Sequence, residues 1–337
     1  MKKFTKLALV SSIALTTNAM AMQAMDDTAL SATTGQDGLS IGIGISKVEI
    51  EKLFIHDNDG LAAKGVAGDL GFGGTGTAGA IVIKGNGQGD TATKGVVIGA
   101  NYDDAGAYLL DSRNLADLVI DTDAGTGANG AFINVAAQVS GLDIQIGEIG
   151  VSASNDMPDA DATSIRRGNK DSNYNAILSG LTLKTGKMDA NIQLGAAPQG
   201  AMIKLDTTMV GGLEIKNLGI LDNSTKTATR TAAGEIFIES IKVTDATKKD
   251  LTLKQDISII GKDDASNGYI QIISHGGAKD NYIKGIHLGS YDRTAGAVQT
   301  TSIGDMEIQG LQTYYGAPQA LGGTGYQQGA KITISGH

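Results

Sequence analysis

Leu213-Glu214-Ile215-Lys216-Asn217-Leu218-Gly219-Ile220 alternates apolar and polar residues, breaks step at Lys216-Asn217, and alternates again. With h for an apolar residue, the pattern is h-x-h-x-x-h-x-h. It recurs at Val48–Ile55, Ile144–Val151 and Ile236–Val243, with a close variant at Met306–Thr313. Ile283–Leu288 and Leu115–Ile120 keep its last three apolar positions. Side chains of a strand point to alternate faces, so a straight strand would throw Leu218 and Ile220 to the wrong side. A bulge or sharp bend at the two-residue break returns them to it. Each copy therefore predicts a bent strand, or two short strands meeting at a corner. Such elements belong to solenoids, strongly coiled sheets and barrels. The copies are irregularly spaced, so a regular solenoid does not follow from them.

Outward from these copies, plain alternation continues at Ser40–Ile45, Ile144–Ile146, Leu181–Leu183, Leu251–Leu253 and Ile332–Ile334, the mark of half-buried strands. Turn formers interrupt them at Asp57–Gly60, Lys84–Gly87, Asp222–Ser224 and Asp263–Gly268. Helical periodicity is scarce, with short helices expected only at Asp26–Ala32 and in part of Arg113–Leu118. Glycine supplies 48 of 337 residues, against a usual share of about 7%. Trp is absent and aromatics make up 4%, so Ile, Leu, Val and Ala must fill the core. The expected fold is all-β. It is an elongated or coiled architecture (solenoid-like, sandwich or β-roll) of bent short strands joined by Gly, Asn and Asp turns, with a short N-terminal helix.

The first residues carry Lys2, Lys3 and Lys6, then an apolar run from Leu7 to Leu15, then Ala19-Met20-Ala21. Charge, a short apolar segment and a small-x-small site, in that order, read as a secretory signal peptide over residues 1–21, cleaved between Ala21 and Met22. The run is too short for a membrane span of roughly 20 residues. Residues 22–38 are then an N-terminal helical or turn segment, and 39–337 a glycine-rich all-β domain with irregular repeats. Loss of three lysines takes the formal charge from −9 to −12. An acidic chain lacks the basic footprint that nucleic acid requires. Cysteine is absent, so neither disulfides nor a lipid-modified cysteine is available.

Motifs that carry chemistry fail on context. Gly71–Gly76 fits G-x-G-x-x-G, but Ala78–Ile83 after it reads as a strand, where a dinucleotide site needs a helix. Gly38–Gly42 fits G-x-S-x-G, but lies inside an alternating strand rather than at a strand-to-helix turn. His56, His275, His287 and His337 show no metal-ligand spacing. His275 and His287 lie 12 apart, a spacing a sheet could close, yet exposed turn or strand-face positions are the favoured reading. The acidic stretches Asp57–Gly60, Asp121–Asp123 and Asp159–Asp161 offer clustered oxygens of the kind calcium uses, but Leu61 breaks the ligand pattern. They are read as solvated turns. Paired carboxylates for glycoside hydrolysis are not identifiable, and few aromatics disfavour a sugar cleft or the girdles of an outer-membrane barrel. No catalytic residue, cofactor site, metal site or small-molecule substrate is expected, and the chain is not expected to be an enzyme.

Met22-Gln-Ala-Met-Asp-Asp-Thr-Ala-Leu-Ser-Ala-Thr-Thr-Gly-Gln-Asp-Gly-Leu39 resembles the start of the FilA-type pilus-system proteins of Gram-negative bacteria. Their signature is M-x-x-[LM]-[DE]-D-x-x-L-[SA]-x-[VT]-x-G-Q-[DE]-G, followed by alternating apolar residues. The likeness covers Met1 to about Ile45, and beyond it agrees in character only. It implies an exported structural or accessory component of a pilus or filament system, periplasmic to surface-exposed or extracellular, supporting adhesion. Its partners would be other pilus-system proteins or further copies of itself, and it would not be an integral membrane protein. The competing expectations are a secreted carbohydrate-active β-solenoid enzyme and a calcium-binding module.

Overall fold

The break in the h-x-h-x-x-h-x-h pattern falls on a corner that crosses one of two large sheets. The computed structural model describes residues 38–63, 73–126, 130–263, 267–293, 297, 302–316 and 325–336. The expected signal peptide, its cleavage between Ala21 and Met22, the helix at Asp26–Ala32 and His337 lie outside them.

One sheet is straight. Its strands are β1 (Leu39–Ile43), β6 (Ala116–Asp123), β7 (Phe132–Val139), β11 (Met188–Gly195), β12 (Ile203–Met209), β15 (Leu251–Ile260), β16 (Tyr269–His275) and β21 (Ala330–Ile334), paired in that order. The bent sheet runs β2 (Lys47–Ile50), β5 (Val96–Ala100), β8 (Leu142–Ile146), β10 (Asn175–Lys184), β13 (Leu213–Asp222), β14 (Gly234–Asp245), β17 (Lys279–Gly289) and β18 (Ser302–Leu311). Beyond the corner, β3 (Leu53–Asp57), β4 (Gly79–Lys84) and β9 (Glu148–Ala153) join the same sheet beside β10. A separate ribbon pairs β19 (Tyr314–Tyr315) with β20 (Gln327–Gln328). All named pairings are antiparallel, and both sheets follow chain order from edge to edge. The chain makes a straight hairpin in one sheet, then a bent hairpin in the other, and repeats. Neither sheet closes into a barrel.

The corner has a local cause in each strand. It separates β2 from β3 at Glu51-Lys52 and β8 from β9 at Gly147. In β10 the register shifts around Gly180, and in β13 Asn217 adopts a left-handed φ of 58°. The ladder skips the Asn217–Glu239 and Glu239–Gly285 pairs, and Gly285 has a φ of 65°. One left-handed residue reverses the pleat, and Asn and Gly accept that conformation most readily. The corner is held by backbone: the Gly95 N–H donates to the Ile50 and Glu51 carbonyls at 2.9 Å, and the Gly147 N–H to the Gly95 carbonyl at 2.8 Å.

Two expected copies depart from this scheme. Leu115–Ile120 leads into β6 of the straight sheet, whose register with β7 is continuous. In the Met306–Thr313 copy the break falls at Gln309-Gly310, near the far end of β18, while the corner crosses β18 at Gly304-Asp305. The expected helix within Arg113–Leu118 is also absent. Arg113 turns with a φ of 61° and β6 begins at Ala116.

Aliphatic rows cross both sheets. In the straight sheet Leu39, Ile120, Val135, Ile192, Ile203, Ile257, Ile272 and Ile332 are cross-strand neighbours in succession. In the bent sheet the row is Val48, Ile98, Ile144, Leu183, Ile215, Ile241, Ile283 and Met306. Such pairs are the unit of sheet stabilisation. The most deeply buried apolar side chains are Val82, Phe237 and Met209.

A polar tie links the sheets at the end of β14. The Asp245 carboxylate accepts from the Thr252 N–H at 3.1 Å, from the Thr252 hydroxyl at 2.6 Å and from the Lys279 ammonium. Burial alone would raise its pKa, but the Lys279 and Thr252 donors outweigh it and hold the carboxyl below its ordinary 3.8. A folded-state value below the unfolded one adds stability above about pH 4, lost as pH falls through the folded value. Between about pH 5 and pH 3, the urea midpoint should therefore fall more steeply for the native chain than for Asp245→Asn. Equal slopes would remove Asp245 from the acid response.

Candidate functional site

The corner of the bent sheet opens into a cleft of about 460 Å³, within the size range of ligand pockets. Its wall is the loop between β4 and β5. There Asn86 donates to the Ser179 carbonyl at 3.2 Å and accepts from the Gln88 N–H at 3.0 Å and the Thr91 hydroxyl at 2.9 Å. Opposite, the segment after β17 folds back over β14. Tyr291 stacks on Phe237 with ring centroids 3.6 Å apart, and the Arg293 guanidinium lies 5.1 Å from the Phe237 ring centre. Burial raises the Tyr291 hydroxyl above its ordinary pKa of 10.0.

Glu235, Phe237 and Glu239 alternate along β14. The buried Glu235 carboxylate accepts from the Ser179 hydroxyl at 2.9 Å and pairs with Arg293, which also donates to Ser179 Oγ at 2.7 Å. His287, across the ladder from Phe237, is 2% exposed, and its Nε2 lies 3.1 Å from Glu239 Oε1. Its Nδ1 has no hydrogen-bond partner among the described residues. A proton on Nε2, donated to Glu239, leaves Nδ1 with only a lone pair to satisfy.

Chemically this is a clasp. A serine nucleophile needs a neighbouring base able to take its proton. The carboxylate beside Ser179 is already engaged by the Arg293 guanidinium. The imidazole is engaged by the other carboxylate, Glu239. The arrangement fixes the chain after β17 against β10 and β14.

Sites expected from motifs are scattered. Ser40 of Gly38–Gly42 is exposed within β1. Of Gly71–Gly76, residues 71 and 72 lie outside the described residues, and strand β4 follows at Gly79. His275 lies in the straight sheet and His287 in the bent one, so the sheets keep them apart. His275 is exposed and 2.8 Å from Asp256, while His56 is half-buried and 2.8 Å from Ser154 Oγ. The expectation of an exposed His287 is corrected: the Tyr291 segment covers it, with ring centroids 4.9 Å apart in an edge-on contact. Asp57 does cap a turn, accepting from the Asp59 and Gly60 N–H groups at 3.3 and 3.1 Å. Asp121–Asp123 is no turn but the end of β6. Among the described residues, no three His, Asp or Glu side chains converge as metal ligands.

Residues 1–144 match the model of a family of unknown function, DUF6160. That stretch runs through the first bent hairpin and the first straight hairpin into β8. No curated protein and no solved structure matches the chain.

Proposed function

We propose that this chain is an exported structural or accessory component of a filament system at the bacterial surface, supporting adhesion, and not an enzyme. One observation carries the reading most: two antiparallel sheets built in chain order, whose edge strands pair on one side only among the described residues. Unpaired edges are templates for pairing with another chain, which monomeric proteins usually blunt. An apolar stripe on the outer surface supports it. Ile55, Ile81 and Val151 are laddered neighbours on β3, β4 and β9, and Ile220, Ile236 and Leu288 on β13, β14 and β17. All six are between 39% and 57% exposed, a patch suited to contact with partners. The clasp fits a part that must hold its shape. Among the described residues no helix is long and apolar enough to cross a membrane.

The stretch that resembles the pilus-system proteins supplies the test. A chain lacking Gln23–Asp37 should fail to reach the surface in antibody-labelled electron micrographs, while its purified β-domain melts as before. Undiminished surface labelling would overturn the role of that stretch in display.

A further inference from the structure

We infer that copies of this chain add head to tail, with β21 of one copy pairing antiparallel to β1 of the next while β18 pairs to β2. The contact deepens the structural-subunit reading and its place in a filament rests on that reading; the pairing itself is testable on purified chain.

The repeat makes the case. In the straight sheet β6–β7, β11–β12 and β15–β16 are complete hairpins, and each is followed by a bent hairpin in the other sheet. β1 stands where the second strand of such a hairpin stands, and β21 where the first does. Each is half a hairpin, and both have five residues. They lie at opposite edges of an eight-stranded sheet, roughly 35 Å apart at the usual strand spacing. A second copy, offering β1 to β21, completes both at once.

Direction and register agree. The path through each sheet holds eight antiparallel strands. The last strand therefore runs opposite to the first, and a following copy continues the alternation in both sheets at once. Continuing the straight sheet's aliphatic row sets Leu39 against Ile332. These end members are 56% and 51% exposed, whereas the six between them are half-buried. Continuing the bent sheet's row sets Val48 against Met306, which is 48% exposed. That register places Lys47 opposite Glu307, a favourable pair. It also places Glu49 opposite Asp305, but these carboxylates are already held. Glu49 lies 2.6 Å from Lys47 and 3.4 Å from Lys94, and Asp305 accepts from the Gly285 N–H and the Tyr282 hydroxyl. β1 carries no charge and β21 only Lys331, so the straight sheet's edges carry little of the usual charged guard. The ribbon of β19 and β20 is laddered to neither sheet. An interface between two different surfaces, repeated without closure, yields an open filament.

The chain has no cysteine, which makes the test clean. Leu39→Cys and Ile332→Cys are made as separate mature chains, mixed in equal amounts and oxidised mildly. Disulfide-linked heterodimers should exceed either homodimer several-fold, and the double variant should give a ladder of dimers, trimers and longer species. Lysine at both positions should weaken association of the otherwise native chain at least tenfold by sedimentation, with an unchanged melting curve. Heterodimers no more abundant than homodimers, a double variant cross-linked only within one chain, or association indifferent to the lysines would each overturn the pairing. A chain that associates in this way yet never reaches the surface would leave the contact standing and overturn the surface role.

Discussion

Phe237→Ala should cost about 3–5 kcal/mol of stability, read as a shift of the urea or thermal midpoint. Phe237 is 1% exposed in the first half of β14, with the Tyr291 ring stacked on it and Arg293 above. Truncation leaves a cavity that the flanking ladder pairs, Leu218–Ile238 and Ile220–Ile236, cannot collapse to fill. It also strips the aromatic floor from the clasp, so Arg293 must hold Glu235 without its stacking support. The loss is large against a total stability of about 5–15 kcal/mol. Phe237→Leu keeps most of the volume and should cost well under half as much. A loss below about 1 kcal/mol for the alanine variant would mean that the segment after β17 stands without this anchor.

Strand positions were readable because alternation is a local property. Leu181–Leu183, Leu251–Leu253 and Ile332–Ile334 all lie in strands. The corner was readable for the same reason, since a broken alternation is written in adjacent residues. Two members of the corner stayed hidden. In β10 the pattern is present from Ala176 to Leu183, but a weakly apolar alanine holds its first position. Between β4 and β5 the break is stretched into a loop over residues 85–95, so no window of sequence spans it. Leu115–Ile120 erred the other way. It carries the last three apolar positions, yet nothing in six residues says which sheet will take them.

The clasp lay further out of reach. Ser179, Glu235 and Arg293 meet from three separate segments, and Arg293 lies 58 positions from Glu235. Strand order and the fold-back after β17 bring them together. The one local trace was the alternation of Glu235, Phe237 and Glu239 on a strand rich in Ile, which puts two carboxylates on the same face as an aromatic ring. His287 misled for a related reason. A polar residue between Ile286 and Leu288 reads as an outward position, but the fold-back of Tyr291 buries that face.

Gly147→Ala should be among the most damaging single-methyl changes in the chain, costing about 3 kcal/mol or more, or preventing folding. A Cβ at Gly147 would lie 2.2 Å from the Lys84 carbonyl oxygen and 3.0 Å from that of Lys94. Both obstacles are backbone, pinned at the corner by the bond from the Gly147 N–H to the Gly95 carbonyl. Relief would require β4 and β5 to move away from β8 and β9, opening the corner. Gly285→Ala makes the useful contrast. There φ is left-handed at 65°, and the Cβ would meet the Glu239 side chain at 2.3 Å. A flexible carboxylate can swing aside, so its cost should be mainly conformational, about 1–2 kcal/mol. Swinging Glu239 away also frees His287 Nε2, so Gly285→Ala should raise hydrogen exchange at the His287 end of β17 while Gly147→Ala destabilises the whole corner. The reverse ranking would mean that the bend is set strand by strand, by left-handed residues alone, and not by the close approach of backbones across it.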